Sequence, residues 1–477
     1  MALQFTRNAG VYIELTNAVT GAPKAHWKLS VLDGFSFTQS INSSEITINE
    51  AGATSRRARL LFNDSLAPVE WSLSTYARPF LDTAPAICRA PEDVLWAMAL
   101  GANDYATNPT TGQFSNTALN PDVPVNGNDA VGTAAPTAST NIFNLNGSNV
   151  SSFGDNWNMY FAFEDGTNTQ YYKLTSAVVN SVSMDFDIDG IATISWSGFA
   201  KELGDEGVVQ PGFIKTAANR TQYTVTGVTG SGATPNVVTA LTANTTGLEI
   251  GSRIFVEGNG SYDTPAAGAV ITAVVTDTSF SYEITTNTAT GDDATGTFGL
   301  TNADIKTDNP EESGLTSTTN FIRNRISTVD LQRTDEGPTT YSLVLTGGSF
   351  TLENNINYLT PEELGVVNAP LANITGARSI SGTMNCYLDN GAGDLSGQLF
   401  ADLVADTDTI RNVFNMQLQM GGKDAGTPRV YLDLPTAHLE IPTINVEDLL
   451  TLEINFHGQV SGGDVDNTNE ATIIYNV

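Results

Sequence analysis

Cysteine and basic residues are scarce in this chain of 477 residues. Its two cysteines, Cys88 and Cys386, exclude a disulfide framework, and neither has a second thiol or a histidine close by in sequence for a metal site. The chain has 21 lysines and arginines against 52 acidic residues, and its formal charge is −31. This balance argues against a nucleic-acid-binding protein, because that affinity comes chiefly from cationic side chains that neutralise phosphates.

Long apolar runs are missing as well. No segment reaches the roughly 18 consecutive apolar residues of a membrane-spanning helix, and the residues from Met1 onwards lack the apolar core of a signal peptide. We therefore expect a protein that spans no membrane and stays in the cytoplasm where it is made, or in a particle assembled there.

Common catalytic motifs are absent from the sequence. It contains no nucleophile elbow, P-loop, zinc-protease helix or EF-hand loop, and its three histidines are scattered. Asp185, Asp187 and Asp189 alternate along a predicted strand, so they form an outward-facing row and do not converge as metal ligands do. The sequence predicts a protein that is not an enzyme, with no catalytic residues, no metal site and no cofactor.

Alternating apolar and polar residues dominate what is present, and turn-forming residues are abundant, so the predicted fold class is mainly β. The clearest example begins with a half-buried strand at Val182–Ile188. Asp189-Gly190 then predicts a two-residue hairpin turn. The return strand is expected to bury Ile194 and Trp196.

Blocks of sequence recur in the same order in both halves of the chain, which indicates a tandem duplication of one domain. The hairpin core recurs when Ile194, Trp196 and Gly198 are aligned with Ile454, Phe456 and Gly458. Other matched blocks are FTRN at Phe5–Asn8 with FIRN at Phe321–Asn324, SFT at Ser36–Thr38 with SFT at Ser349–Thr351, a predicted helix at 90–100 with 395–406, and Asn158-Met159 with Asn415-Met416.

The predicted organisation is a first copy over residues 1–205, a linker over 206–220, a separate module over 221–300 and a second copy over 301–477. Residues 101–156 contain no Lys, Arg or Glu and are interpreted as a surface-loop insertion special to the first copy. The module has short Thr- and Val-rich strands, which predict a small β-sandwich or barrel. In the first copy, Pro91 begins a short helix that ends before Gly101 and lays an apolar face on the sheet.

Each copy also contains a hairpin excursion whose tip differs in charge. The first-copy tip carries Arg56, Arg57 and Arg59 and is followed by Leu60, Leu61 and Phe62. The counterpart in the second copy carries Glu362 and Glu363. A tip this rich in charge cannot belong to a core.

This architecture resembles the tail tube proteins of tailed bacteriophages. The resemblance rests on SFTQSINSSEITINEAG and SFTLENNINYLTPEELG, each followed by a return strand and a helix, and it covers both copies. The fused pair of tube domains is similar to the T5-like arrangement, which implies a trimer whose six domains imitate a hexamer. The module resembles the immunoglobulin-like modules that decorate phage virions, although its position between the copies departs from the T5-like arrangement.

The resemblance implies a structural virion protein, assembled in the host cytoplasm, that forms stacked trimeric rings of a tail tube and conducts DNA into the host. The implied partners are further copies of the chain, a tape-measure protein and passing DNA in the lumen without specific nucleic-acid binding, and other tail proteins at the tube ends. The negative charge agrees with this, because it repels phosphate and keeps DNA from adsorbing.

Two sets of residues are predicted to act in such a tube. The candidates for ring stacking are Arg56, Arg57, Arg59, Leu60, Leu61, Phe62, Glu362 and Glu363, and those for an acidic lumen are Asp185, Asp187 and Asp189. A baseplate hub or distal tail protein with two tube-like domains remains an alternative. A bacterial surface adhesin built from β-sandwich repeats is a more distant one, which the expected lack of a signal peptide argues against.

Overall fold

The computed structural model of the chain is mainly β. It describes residues 9–16, 23–46, 60–81, 88–102, 104–105, 114–115, 140–145, 156–164, 169–188, 190–207, 221–233, 235–245, 248, 253–256, 262, 264, 269–284, 290–293, 296–301, 321–334, 339–363, 367–391, 393, 395–405, 413–422, 427–446, 449–460 and 470–477.

The first copy contains one short helix among its strands. Its elements are β1 (Ala9–Thr16), β2 (Pro23–Leu29), β3 (Ser36–Ile46), β4 (Leu60–Tyr76), β5 (Phe80–Leu81), β6 (Cys88–Arg89), α1 (Asp93–Ala99), β7 (Asp104–Tyr105), β8 (Phe114–Ser115), β9 (Thr140–Leu145), β10 (Trp157–Glu164), β11 (Thr169–Thr175), β12 (Val178–Asp185), β13 (Thr193–Ala200) and β14 (Glu202–Gly207).

The module and the second copy follow. The module contains β15 (Thr221–Val225), β16 (Gly227–Ser231), β17 (Asn236–Leu241), β18 (Arg253–Val256), β19 (Ala269–Val275), β20 (Ser279–Ile284), β21 (Thr290–Asp293) and β22 (Gly296–Thr301). The second copy contains a 3-10 turn (Asn324–Ile326), β23 (Thr328–Arg333), β24 (Thr339–Ser342), β25 (Leu345–Glu353), β26 (Ile356–Leu359), β27 (Ala372–Thr375), β28 (Ser379–Tyr387), α2 (Ser396–Ala405), β29 (Phe414–Gly421), β30 (Arg429–Leu439), β31 (Thr443–Val446), β32 (Leu450–Gly458) and β33 (Ala471–Asn476).

The strand order is alike in the two halves of the chain. In the first copy, one sheet has the order β14-β11-β10-β1-β2, and the matching strands of the second copy follow the order β33-β30-β29-β23-β24. The other sheet runs β12-β13-β4-β3 in the first copy and β31-β32-β28-β25 in the second. All of these neighbours are antiparallel. In the second copy β30 also pairs with β32 and joins the two strand sets into one sheet, whereas the first-copy sets form separate sheets among the described residues.

Alternation along the strands places the core between the sheets. On β13, Ile194 and Trp196 are buried while Ser195 is exposed, as the sequence pattern predicts. The indole of Trp96 on α1 meets the indole of Trp196 edge-on, with ring centroids 5.0 Å apart. The helix therefore seals the end of this core against the sheet.

The connection between β12 and β13 is longer than predicted. Asp185 pairs with Thr193, so residues 186–192 separate the strands, and Gly190 does not adopt the positive φ of a two-residue primed turn. The predicted Asp189-Gly190 turn is therefore wrong. The physical reason is that this connection bonds to the second copy: Ala192 N donates to Ile322 O at 3.0 Å, and Asn324 N donates to Gly190 O at 3.1 Å.

The sheet registers also correct how the two hairpin cores align. Matching the SFT blocks sets Ser36 against Ser349, and their partner strands then set Ser72 against Thr383. One residue further on, Leu73 pairs with Trp196, whereas Met384 pairs with Ile454. Trp196 therefore corresponds to Ile454, two residues from the Phe456 that the sequence alignment gave it.

The cause of this shift is an exchange of a large and a small residue between the copies. In the first copy Trp71 pairs with Gly198, and in the second Gly382 pairs with Phe456. A Cβ atom at Gly198 would lie 2.7 Å from the Trp71 ring, and one at Gly382 would lie 2.3 Å from the Phe456 ring. In each copy the aromatic ring covers the glycine opposite it. The aromatic residue lies on β4 in the first copy and on β32 in the second, so the glycine and the aromatic residue have exchanged strands. Aligning Gly198 with Gly458 by sequence misses this exchange.

Helix α1 is buried on every side, although the sequence predicted a single apolar face against the sheet. The other side is covered by the C-terminal strand β33, which pairs with β30 of its own copy and with β9 of the first-copy insertion. The positive φ of Gly101 ends the helix as predicted. The insertion thus contributes a strand that joins the two copies, while most of residues 101–156 lie outside the described ranges.

The module has a hydrophobic core of its own, centred on Val225, Val238, Ile271, Phe280 and Tyr282. Its strands pair in the order β15-β22-β18-β19-β20-β17-β16-β21. Of the predicted linker, residues 206–207 belong to β14 and the remainder lies outside the described ranges.

Candidate assembly surfaces

The two copies are joined through the edges of their second sheets. Strand β12 of the first copy pairs antiparallel with β25 of the second, with Val182 opposite Leu352 and Met184 opposite Phe350. All four of these side chains are buried. One sheet therefore continues without interruption from the second copy into the first.

A close ring–glycine contact completes this junction. Phe186 N donates to Gly348 O at 3.0 Å. A Cβ atom at Gly348 would lie 2.5 Å from Cζ of Phe186 and 2.3 Å from the carbonyl oxygen of Thr383. The Phe186 ring thus occupies the space that a side chain at position 348 would need.

The same sheet ends in two outer edges, β3 in the first copy and β31 in the second. Within the described part of the chain, β3 pairs only with β4, and β31 pairs only with β32. The corrected alignment makes β3 the counterpart of β25 and β31 the counterpart of β12. The two outer edges therefore correspond to the two strands of the internal junction, but in the described part of the chain neither edge is paired with a strand on its outer side.

The β31 edge exposes apolar side chains whose counterparts are buried at the internal junction. Ile444 pairs with Leu452 as Met184 pairs with Ile194, so Ile444 and Val446 correspond to Met184 and Phe186. The exposed fractions of Ile444 and Val446 are 39% and 77%, and those of Met184 and Phe186 are 1% and 2%. This contrast marks β31 as a surface that a neighbour covers. Sequence reasoning did not select these residues.

The opposite face of the continuous sheet is polar and rich in hydroxyl groups, and we call it the hydroxyl face. One row across it contains His457, Ser381, Thr351, Ser183, Ser195 and Ser74. The next row contains Asn455, Thr383, Ser349, Asp185, Thr193 and Tyr76. Cross-strand hydroxyl contacts join Ser36 to Ser72 at 2.9 Å and Ser349 to Thr383 at 3.0 Å.

The structure separates the three aspartates predicted to form an acidic strand face. Asp185 is exposed on the hydroxyl face at the end of β12. Asp187 is exposed beyond that strand, and Asp189 lies outside the described residues. The face that carries Asp185 is mostly hydroxyl-bearing, and by register Glu70, Glu353 and Glu453 add further carboxylates to it.

The hairpins predicted to stack lie at the ends of strands. Leu60, Leu61 and Phe62 begin β4 and are each more than half exposed, whereas Arg56, Arg57 and Arg59 lie outside the described residues. Glu362 and Glu363 are exposed after β26. Further exposed apolar residues on the second-copy hairpin are Leu359, Val367, Leu371 and Ile374.

The two hairpins touch within one chain. Leu66 N donates to Asn368 O at 2.7 Å, and Asn368 N donates to Asp64 O at 3.0 Å. The two hairpins of adjacent domains therefore contact each other side by side.

A buried carboxyl group locks the C-terminal strand onto α1. The Tyr475 hydroxyl donates to Oε1 of Glu92 at 2.8 Å and accepts from Nε1 of Trp96 at 2.6 Å. Burial raises the pKa of Glu92 from its ordinary value of 4.5 to about 8, although the Tyr475 hydrogen bond opposes the rise. The folded chain therefore favours the protonated form of Glu92 at neutral pH.

We expect the stability of this contact to fall as the pH rises from about 4.5 to 8. A raised folded-state pKa favours folding fully below the unfolded pKa, and that contribution is lost as the unfolded carboxyl ionises. Glu92→Gln keeps the acceptor oxygen for Tyr475 and should flatten the decline in melting temperature between pH 5 and pH 8. Glu70→Gln, a change at an exposed carboxylate, should leave the decline unaltered. Equal slopes for both variants would contradict this assignment.

Neither a metal cluster nor a membrane-spanning helix occurs among the described residues. Over the described ranges, no group of three or more His, Cys, Asp and Glu side chains is arranged to hold a metal ion. No helix within those ranges combines the length and apolar character needed to cross a bilayer.

The described part of the chain thus contains two like β-domains that are joined edge to edge and have matching outer edges. No protein-family model matches the chain. The chain is similar to the tail tube protein pb6 of Escherichia phage T5, with 24% identity over 461 residues that cover 96% of this chain and 72% of the T5 protein. This similarity confirms the resemblance to phage tail tube proteins of the T5-like type that was drawn from the sequence.

Proposed function

We propose that three chains close into a ring with pseudo-sixfold symmetry and that these rings stack into a hollow tail tube. The observation that carries the proposal is the pair of outer edges, β3 and β31, which correspond to the two strands of the internal junction. Joining β31 of one chain to β3 of the next repeats the internal contact. The contact is heterologous, so it generates a closed ring when the rotation per domain fits.

The side chains at these edges complement each other in size. By correspondence with the internal junction, Ile444 faces Phe37 of the next chain, and Val446 faces Phe35. Inside one chain the large residue is Phe186 on β12 and the small one is Gly348 on β25. Between chains the large residue is Phe35, next to β3, and the smaller one is Val446 on β31. The large side chain therefore comes from the opposite partner of the strand pair.

The charges at the two edges agree with the same pairing. Glu353 of β25 lies opposite Ser181 of β12 inside the chain. The corresponding pair between chains is Ser40 of β3 and Glu440, which precedes β31. A carboxylate faces a hydroxyl in both cases, and like charges do not meet, which favours strand pairing.

The test of this proposal is the mass and shape of the assembled protein. Native mass spectrometry should give a smallest ring of three chains, each of 50.5 kDa, and negative-stain microscopy should show hollow tubes. A ring of six chains would contradict the fused-pair arrangement. Single rings that never stack would favour a baseplate hub or distal tail protein.

In such a ring the hydroxyl face lines the lumen and Asp185 adds carboxylates to it, with Asp187 and Asp189 beside it. Neutral hydroxyl groups hold water and carry no cation that binds phosphate, and the chain's charge of −31 repels DNA. This supports a conduit through which DNA passes without adsorbing. We also place a tape-measure protein in the lumen, other tail proteins at the tube ends and the 221–300 module on the outside, with assembly in the host cytoplasm.

The stacking contact is assigned to the hairpin tips, the basic tip of one ring docking on acidic residues of the next. Replacing Arg56, Arg57 and Arg59 with glutamate should leave rings intact but impair tube growth. Each exposed ion pair contributes only about 0–1 kcal/mol, so Leu60, Leu61 and Phe62 must also be buried in the contact.

A charge-swapped variant provides the control for this stacking prediction. Adding Glu362→Lys and Glu363→Lys to the arginine variant should restore tube growth, because the charges are again opposite. Tube length measured by electron microscopy reports the result. Normal tubes from the arginine variant alone would remove the assignment.

A further inference from the structure

The two helices begin at corresponding places in the two copies. The backbone N–H of Arg78, two residues beyond β4, donates to the Glu92 carboxyl group just before α1. Likewise, the backbone N–H of Asp389, two residues beyond β28, donates to Oγ of Ser396 at 2.8 Å, where α2 begins. Because β4 and β28 are counterparts, Glu92 corresponds to Ser396, and the two helices can be aligned residue by residue from that point.

Helix α1 connects the first copy to two strands of the second. Trp96 donates from Nε1 to the Tyr475 hydroxyl on β33 at 2.6 Å, and Glu92 accepts from the same hydroxyl. At the other end of the helix, Nδ2 of Asn354, one residue beyond β25, donates to Ala99 O at 2.8 Å. The helix of the first copy therefore bridges β25 and β33 on one side of the second copy.

One face of α2 is exposed, although the matching face of α1 is buried. Three exposed positions, spaced three residues apart so that they share this face, are Gln398, Ala401 and Val404. Their counterparts on α1, with exposed fractions of at most 1%, are Val94, Ala97 and Leu100. The face that is buried in α1 is thus uncovered in α2 of the single chain.

The sheets of the first copy carry a cluster of partly exposed rings, which we call the aromatic edge. Its members are Phe37 on β3, Phe163 on β10 and Tyr172 on β11. The Tyr172 ring centroid lies 5.7 Å from that of Phe37 and 5.9 Å from that of Phe163. By register the counterparts in the second copy, each with an exposed fraction of 1%, are Phe350, Met420 and Leu432.

The aromatic edge lies on the side of the first copy where β3 and β14 end the two sheets. Leu203 N on β14 donates to Oε1 of Gln39 on β3 at 3.3 Å, so the two strands are close there. In the described part of the chain, β3 pairs only with β4, and β14 pairs only with β11. These strands are the counterparts of β25 and β33. The aromatic edge therefore corresponds to the side of the second copy that α1 bridges.

We propose that α2 of one chain covers the aromatic edge of the neighbouring chain, with Ala401 and Val404 packed against its rings. The inference rests on the proposed ring, in which β31 pairs with β3 of the next chain as β12 pairs with β25 inside one chain. Helix α2 belongs to the copy that offers β31, just as α1 belongs to the copy that offers β12. The step around the ring that converts the internal strand pair into the pair between chains also converts the internal helix contact.

Side-chain sizes change in compensating directions between the internal contact and the proposed one. On the helix, the smaller residues of α2 and the α1 residues that they match are Phe400 with Trp96 and Val404 with Leu100. On the sheets, the larger residues of the first copy and the second-copy residues that they match are Phe163 with Met420 and Tyr172 with Leu432. A smaller helix face thus meets larger rings, so the combined volume is similar. Phe400 has no N–H group to donate, so the contact between chains depends on apolar burial.

Cysteine labelling tests whether α2 is covered in the ring. A thiol introduced by Ala401→Cys lies at an exposed position of the single chain and should react readily with a maleimide there. In assembled rings it should lose this reactivity, because the aromatic edge of the next chain covers it. The matched control, Val275→Cys at an exposed module position, should react equally in both states. The native Cys88 and Cys386 are buried and add little background.

Photo-cross-linking identifies what covers the helix. Gln398→Cys carries a benzophenone maleimide at the exposed start of α2, and isotope-labelled and unlabelled chains are mixed before assembly. Mass spectrometry of the digested rings should find peptides that join α2 of one chain to β3, β10 or β11 of a differently labelled chain.

The outcomes separate this inference from the ring itself. Rings of normal mass in which Ala401→Cys stays as reactive as in the single chain would overturn the helix contact and leave the ring standing. Cross-links to the same chain, to the module or to a hairpin would also contradict it, since another surface would then cover α2. If the unmodified chain forms no ring, the proposed function fails first and the helix contact fails with it.

Discussion

Replacing both Ile444 and Val446 with aspartate is expected to leave a folded chain that no longer forms rings. Both side chains are exposed in the single chain, at 39% and 77%, so the new carboxylates stay in water and folding is little affected. In the proposed ring the same positions face β3 of the next chain, as Met184 and Phe186 face β25. A carboxylate buried there without a partner loses its hydration.

The expected size of this effect follows from that desolvation. Burying an unpaired charge costs several kcal/mol, and each 1.4 kcal/mol is a factor of about ten in affinity. We therefore expect ring formation to weaken on the order of 100-fold or more. Sedimentation velocity over a concentration series measures it directly.

The module supplies a matched control for the edge variant. Leu241 and Val275 are exposed apolar residues on module strands, at 45% and 54%, and neither belongs to the proposed edge. Replacing both with aspartate should leave ring formation unchanged. Equal assembly by the edge variant and the control would refute the pairing of β31 with β3.

The likeness of the two halves was predictable from sequence because tandem copies keep their blocks in order. The two SFT blocks lie in the corresponding strands β3 and β25, whereas FTRN at Phe5–Asn8 lies outside the described residues. The alternation around Trp196 identified the buried face of β13. The alignment failed where the glycine and the aromatic exchanged strands, at Gly198 and Phe456. A sequence match rewards identical residues, whereas packing requires only that their combined volume is conserved.

The assembly edge was not predictable in the same way. Ile444 and Val446 resemble ordinary strand residues in the sequence, since alternation shows which face of a strand is apolar but not whether the edge has a neighbour. Only a comparison of the two copies identifies them, because their counterparts Met184 and Phe186 are covered inside the chain. The longer β12–β13 connection was not predicted for a related reason. Its shape is set by hydrogen bonds to Ile322 and Asn324, which are far away in sequence.

Gly348→Ala is expected to disrupt the junction between the two copies. The added methyl group would lie 2.3 Å from the Thr383 carbonyl oxygen and 2.5 Å from Cζ of Phe186, and the backbone atom cannot move aside cheaply. Overpacking in a well-packed core costs typically about 1–3 kcal/mol, and a backbone clash places this site at the upper end. Both β25 and β12 must shift to admit the methyl group, so the loss of stability falls on the contact that joins the copies.

The neighbouring glycine provides the control and decides the outcome. A Cβ atom at Gly347 would lie 3.1 Å from a carboxylate oxygen of Asp187, an exposed side chain that can rotate away. Gly347→Ala should therefore change the free energy of unfolding by less than about 1 kcal/mol, as surface substitutions usually do. Urea unfolding followed by tryptophan fluorescence compares the two variants. Because the ring is proposed to repeat this junction, Gly348→Ala should also lower ring yield, whereas Gly347→Ala should assemble normally. Similar stabilities for both variants would show that Phe186 does not pack on Gly348. The proposed contact between chains, which is inferred from this internal contact, would then lose its support.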